Sequence, residues 1–239
     1  MNRVHVGVAT ITWARTDDED TLLRRSLERL AAFGMPVAIG DAGTRPSFTA
    51  FLERLPGITV SVPAARGLVP QVQASIAMAS TFDTAFTLYV EPDKELFFAG
   101  PMADFVERSP DGLDVGVVIA SRSEQSFATF PPMQRYTEGV INHLCGERLG
   151  IRGDYSYGPF LIAGGLLPTI STLDPALGWG WRHATFAATV RRGLRVALVS
   201  GDYDCPPDQR IEDEAERAHR VRQLSENIRG LLAVPDGRR

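Results

Sequence analysis

The tetrad Glu91-Pro92-Asp93-Lys94 sets two carboxylates on alternate residues, directly after an apolar, strand-like segment from Ala85 to Val90. Hard oxygen donors paired this way suit Mg²⁺ or Mn²⁺ carrying a diphosphate, because such ions keep several waters and share phosphate ligands. Glu91 and Asp93 are therefore the candidate metal ligands. Lys94 can contact phosphate itself or take over part of the metal's work. The competing reading is a solvated charged turn built on Pro92, a residue that turns favour. Lys94 is also the only lysine: Lys and Arg total 25, so the other 24 are arginine. GC-rich coding bias explains the excess of arginine, yet an ammonium is a compact point charge that a planar guanidinium fork does not replace.

Asp41 closes a second apolar segment and is followed by Ala42-Gly43. A carboxylate there can accept hydrogen bonds from a ribose or a base; an Asx-turn is the plainer alternative. Thr10 and Thr12, at the end of the first apolar segment, complete the candidate nucleotide-binding set of Thr10, Thr12, Asp41, Glu91 and Lys94. Later in the chain, Tyr155, Tyr157, Trp179 and Trp181 could offer a flat platform to a sugar ring, or simply pack their loops onto the core. Asp154, Tyr157, Trp179, Trp181, Arg182 and His183 are the candidates for an acceptor side. The four histidines lack metal-ligand spacing, and His5 reads as structural. The chain has no G-x-G-x-x-G after a strand, no Walker sequence and no G-x-S-x-G elbow.

The elements that must position these groups alternate. Val4 to Ile11 reads as a strand buried on both faces. Thr16-Asp17-Asp18-Glu19 is a capping box opening a helix through Leu22, Leu23, Leu27, Leu30 and Phe33. Strands at Pro36 to Gly40, Ile58 to Val62 and Ala85 to Val90 follow, separated by helices near Ser47 to Leu55 and Pro70 to Ser80. Such alternation gives a parallel sheet with right-handed crossovers, and ligands bind beyond the carboxyl ends of its strands. Further on, a strand at Asp114 to Ala120, a helix at Pro132 to Leu149 and, after Gly178-Trp179-Gly180-Trp181-Arg182, a helix that ends at Gly193 are expected. A strand at Arg195 to Val199 and a charged helix from Gln209 to Leu232 end the pattern.

Composition bounds the rest. With 239 residues, 44 % hydrophobic and 23 % charged, the chain is an ordinary globular protein, not a disordered or fibrous one. A net charge of −4 offers no basic field for a nucleic-acid backbone. Two cysteines are too few for a disulfide framework and suit a reducing compartment. The longest apolar run, Pro159 to Pro168, is far too short to span a membrane, and no signal-like segment opens the chain. A cytoplasmic protein is expected. Without internal repeats or a low-complexity linker, one domain is expected over 1–239, with halves at 3–110 and 111–205 and a terminal helix at 206–235.

The order of these features resembles the nucleotide-sugar glycosyltransferases of the GT-A fold, above all family 2. Ala9-Thr10-Ile11-Thr12 is similar to that family's first turn, and Asp41-Ala42-Gly43-Thr44 to its strand-end aspartate. Gly67 and the helix from Gln71 to Ser80 precede the fourth strand, and Glu91-Pro92-Asp93 stands where the family has Asp-x-Asp. Trp179-Gly180-Trp181-Arg182 through Gly193-Leu194-Arg195-Val196 resembles its acceptor-site helix. The resemblance covers residues 3 to 200 and is strongest over the first 100. It implies a single α/β GT-A-like domain with a mainly parallel central sheet flanked by helices, and a charged C-terminal helix.

As function the resemblance implies sugar transfer from a nucleoside diphosphate sugar to an unknown acceptor, with Mg²⁺ or Mn²⁺. Asp41 would hold the nucleoside, Asp93 the metal, and Glu91 would assist. Two departures stand out: Glu replaces the first Asp, and Trp181-Arg182 occupies the place of the inverting members' base-bearing Glu-Asp dipeptide, so no catalytic base carries over. They motivate an alternative, a non-catalytic protein of this fold that binds a nucleotide sugar. A nucleotidyltransferase is disfavoured, because Thr10 to Arg15 has no glycine for the expected phosphate loop.

Overall fold

The computed structural model describes residues 5–234. Val4, placed in the first strand by its sequence, and residue 235 lie outside the described residues. Two compact units emerge: residues 5–107 with 159–175, and residues 108–158 with 176–234. The second unit thus opens at the end of the fifth helix, and the segment 159–175 belongs with the first.

In the first unit, β1 (Val6–Thr12) pairs in parallel with β2 (Val37–Asp41) and β4 (Phe86–Tyr89), and β2 pairs in parallel with β3 (Ile58–Ser61). β6 (Phe160–Ala163) joins the free edge of β4 antiparallel, giving the order β3-β2-β1-β4-β6. β1, β2 and β4 are almost wholly buried, as their continuous apolar runs require. The crossovers are α1 (Asp17–Ala31), α2 (Pro46–Leu52) and α3 (Leu68–Ala79). Leu23, Leu27 and Leu30 bury one face of α1, whereas Phe33 falls past its end and is half exposed.

The capping box forms with a twist. The Thr16 hydroxyl accepts from the Glu19 amide, but the Glu19 carboxylate reaches the amide and guanidinium of Arg15. Helix α3 lies against β1 and β2. Its approach to β2 is so close that a Cβ at Gly40 would sit 2.1 Å from the Gln71 carbonyl oxygen. Only glycine fits there.

Two short helices absent from the sequence reading, α4 (Glu95–Phe98) and α5 (Pro101–Arg108), follow β4. They bury Phe97, Phe98, Met102 and Phe105, too few turns apart to show as a helical period.

In the second unit β5 (Val115–Arg122) pairs in parallel with β7 (Arg195–Gly201). Between them come α6 (Glu124–Phe127), α7 (Pro132–Leu149), α8 (Leu167–Ile170, which packs with the first unit) and α9 (Trp181–Arg191). The final helix, α10 (Glu214–Leu232), starts five residues later than expected. Pro206 and Pro207 open a 3₁₀ turn, and the Asp213 carboxylate then caps α10 by accepting from the Glu216 amide at 2.8 Å. The α/β class and the mainly parallel strand pairing are as the sequence predicts.

Candidate functional site

The chain leaves β1 for β2 and β3 on one side and returns to β4 on the other, so the strand order reverses between β1 and β4. Ligands in open α/β sheets bind at such a reversal, beyond the carboxyl ends of the strands. The candidate donor-side residues stand there. Thr10 donates its hydroxyl to the Val90 carbonyl at 2.7 Å, which ties β1 to the residue immediately before Glu91. Thr12 lies opposite Asp41 in the β1–β2 register and donates its hydroxyl to Asp41 Oδ1 at 2.7 Å.

The Asp41 carboxylate is wholly buried and accepts four hydrogen bonds. Oδ1 takes the hydroxyls of Thr12 and Thr44, and Oδ2 takes the amides of Gly43 and Thr44 at 2.9 and 2.8 Å. That is about the full acceptor capacity of a carboxylate. Asp41 thus builds its own turn, as the Asx-turn alternative holds. Gln71, on α3, locks the two strand ends from below, donating from Nε2 to the Thr12 carbonyl at 2.9 Å and the Gly40 carbonyl at 3.0 Å.

Past β4 the polypeptide turns sharply. The Lys94 amide donates to the Glu91 carbonyl at 3.3 Å, and the Glu95 amide to the Asp93 carbonyl at 2.8 Å. Glu91 is buried, Asp93 exposed and Lys94 between the two. A carboxylate pair with one member rooted and the other open to solvent suits a hard cation that shares its remaining ligands with a phosphate. Among the described residues no group of three or more His, Cys, Asp or Glu side chains gathers into a metal cage.

Trp13, immediately beyond β1, is 57 % exposed, with the Arg15 guanidinium 5.1 Å from its ring.

No family model matches the chain, and no curated protein matches it in sequence. Among solved structures it is similar to glucosyl-3-phosphoglycerate synthase from M. tuberculosis, at 16 % identity over 99 % of this chain and 83 % of that one, with a TM-score of 0.66. The same enzyme in complex with Mn²⁺, UDP and glucosyl-3-phosphoglycerate gives a TM-score of 0.62 at 14 % identity, covering 99 % of this chain and 82 % of that one. Its complex with Mg²⁺ and UDP gives 0.59 at 16 % identity, with the same coverage. The chain has the GT-A fold.

The second unit of this GT-A chain holds the acceptor-side candidates, mostly as interior groups. Trp181 and His183 are wholly buried, and Arg182, Asp154 and Tyr157 nearly so. A platform needs an open ring face, and of the four aromatics only Trp179 keeps part of its surface. Arg182 lies 5.3 Å from the Trp179 ring. Tyr157 instead stacks on Tyr203 at 4.8 Å between ring centres. The loop-packing alternative therefore suits Tyr155, Tyr157 and Trp181.

Asp154 belongs to a charge network that the sequence reading missed. The buried guanidinium of Arg122, at the end of β5, pairs with Asp154 at 2.6 Å and with Glu138 at 2.5 Å, over the rings of Phe127 and Phe130. Burial opposes the charge on Arg122, but the two carboxylates outweigh it and raise its pKa. Burial likewise opposes ionisation of Asp154, yet Arg122, Asn142 and the Ser156 amide hold it ionised, below the usual carboxylate range. Partners 16 and 32 residues away give no local signal.

Proposed function

We propose that this chain is a glycosyltransferase that takes a nucleoside diphosphate sugar as donor. The observation that carries the reading is the carboxylate pair Glu91 and Asp93, with Lys94, at the strand-order reversal of a GT-A fold. Solved neighbours of that fold hold UDP with Mn²⁺ or Mg²⁺. The donor set fits the same kind of ion: Asp93 would hold it from the solvent side and Glu91 from the buried side. When bound, a divalent ion neutralises charge developing on the leaving diphosphate.

The chain's own groups do the rest. The Lys94 ammonium aims a charge-assisted contact at a diphosphate oxygen, where negative charge grows as the sugar C1–O bond breaks. The acceptor hydroxyl forms the new C1–O bond and gives its proton to the departing nucleoside diphosphate or to water. Thr10, Thr12 and Asp41 frame the nucleoside end. Their side chains already have partners in the loops, so Asp41 contacts a ribose only by exchanging a hydrogen bond, most simply that of the Thr44 hydroxyl. Trp13, well exposed beyond β1, would offer its ring to a base.

The test is turnover over a panel of UDP- and GDP-sugars with Mn²⁺ or Mg²⁺. Slow release of nucleoside diphosphate from at least one donor is expected even without acceptor. Tight nucleotide binding with no release from any donor, with a panel of hydroxylated acceptors present, would contradict transfer.

A further inference from the structure

The loop bearing Glu91 and Asp93 continues directly into α4, whose first residue is Glu95. The Glu95 carboxylate is gripped by two arginines one turn apart on α1: Arg25 at 2.6 Å and Arg29 at 3.1 Å. Helix α1 is itself anchored, since Leu23, Leu27 and Leu30 are buried beneath these arginines' exposed face. From the clamped residue the backbone runs back to the site, the Glu95 amide donating to the Asp93 carbonyl at 2.8 Å. A continuous path therefore leads from the core, through α1 and the two guanidinium groups, to the backbone of the outer carboxylate. Phe97 and Phe98, buried on α4, fix the far end of the same segment.

We infer that Glu95, held by Arg25 and Arg29, is a positioning residue: it fixes the turn so that Asp93 meets a nucleotide-bound divalent ion. This rests on the reading of Glu91 and Asp93 as the metal-holding pair. The arginines are about half exposed, with 56 % and 47 % of their side-chain surface accessible. Exposed ion pairs add little to global stability. Loss of the clamp should therefore leave the protein folded while loosening one loop.

For the two arginines charge and position predict opposite outcomes, which makes the inference testable, whereas Glu95→Gln weakens metal binding on either ground. Two positive charges near a cation site repel the cation, so their removal by electrostatics alone would tighten metal binding. If the arginines act by positioning, their removal weakens it. The experiment compares UDP affinity with and without Mn²⁺, by calorimetry, in wild type, Arg25→Gln/Arg29→Gln and Glu95→Gln.

The quantity read is the factor by which Mn²⁺ improves UDP affinity. Thermal unfolding of each variant checks that it is folded. Both variants are expected to lower that factor by about threefold to tenfold and to leave metal-free UDP affinity unchanged. Combining all three substitutions should add little further, because the clamp acts as one unit. An unchanged or increased factor in Arg25→Gln/Arg29→Gln overturns the inference while leaving the donor-site reading intact. Equal loss of metal-free affinity would show general loosening and also overturn it. No Mn²⁺-dependent gain in the wild type would overturn both together.

Discussion

Asp41 shows how a residue type is readable while its partners are not. A strand-end aspartate before Ala-Gly announces a turn, and the structure gives its carboxylate four internal donors. Asp41→Asn keeps a carbonyl oxygen for the amides of Gly43 and Thr44 but turns an NH₂ group towards the hydroxyls of Thr12 and Thr44, so at least one hydroxyl proton loses its acceptor. That loss costs about 1–3 kcal/mol, which chemical denaturation would register as a lower midpoint with an unchanged slope. Lys94 stands at the other extreme, singled out by its place beside the two carboxylates and as the only lysine. If its ammonium meets the donor diphosphate, Lys94→Ala removes a contact worth about 1.5–3 kcal/mol, roughly 10- to 150-fold in affinity. Lys94→Arg should rescue only in part, since the planar fork needs a different volume. An exposed ion pair alone would contribute about 0–1 kcal/mol, so near-normal nucleotide affinity of Lys94→Ala in excess Mn²⁺ would remove Lys94 from the site.

At the scale of elements, α9 carries a consequence for pH. His183 is wholly buried on it, edge-on to Phe186 at 5.6 Å between ring centres. Burial, helped by the neighbouring charge of Arg182, pushes its pKa down from 6.5 to about 3. Between those values the unfolded chain binds a proton that the folded chain refuses. Stability must therefore fall as pH drops from 6.5 towards 3, by at most about 1.4 kcal/mol per pH unit from this group. Asp154, with its lowered pKa, adds its own loss as pH falls below about 3.8, the ordinary value of an unfolded aspartate. Unfolding free energy measured from pH 7 to 4 should show that slope in the wild type and a shallower one in His183→Phe; parallel slopes would mean that His183 does not titrate on unfolding.

This element also shows what a helical pattern conceals. Trp181, Arg182 and His183 suggest a functional cluster by type, yet α9 is buried on all sides through Thr189. α10 covers part of it so closely that a Cβ at Gly230 would meet the Gly180 carbonyl oxygen at 1.9 Å. Burial on every face depends on what packs against a helix, which its own sequence does not encode.

Over the whole chain, legibility follows the range of the interactions. The strands β1, β2 and β4 and the helices α1 to α3 are readable because parallel strands covered on both faces are continuous apolar runs, punctuated by Thr16, Gly34 and Gly67. The GT-A resemblance, drawn from the order of those features, agrees with the fold. Hidden were the short helices α4, α5, α6 and α8, the strand within the run from Pro159 to Pro168, and the two charge clusters. The run divides because Gly164-Gly165 and Pro168 stop the strand after Ala163, and only pairing with β4 defines it as a strand. Arg122 with Asp154 and Glu138, and Glu95 with Arg25 and Arg29, join residues 16 to 70 positions apart.

The crevice at the β1/β4 reversal, as proposed, binds a nucleoside diphosphate through a divalent ion on Asp93. Calorimetric titration of UDP and GDP into wild type and Asp93→Ala, each with and without Mn²⁺, addresses it directly. One nucleotide should bind the wild type with an affinity that Mn²⁺ raises at least tenfold, and Asp93→Ala should lose that gain while remaining folded. No binding of either nucleotide, or the same Mn²⁺ gain in both proteins, would contradict it.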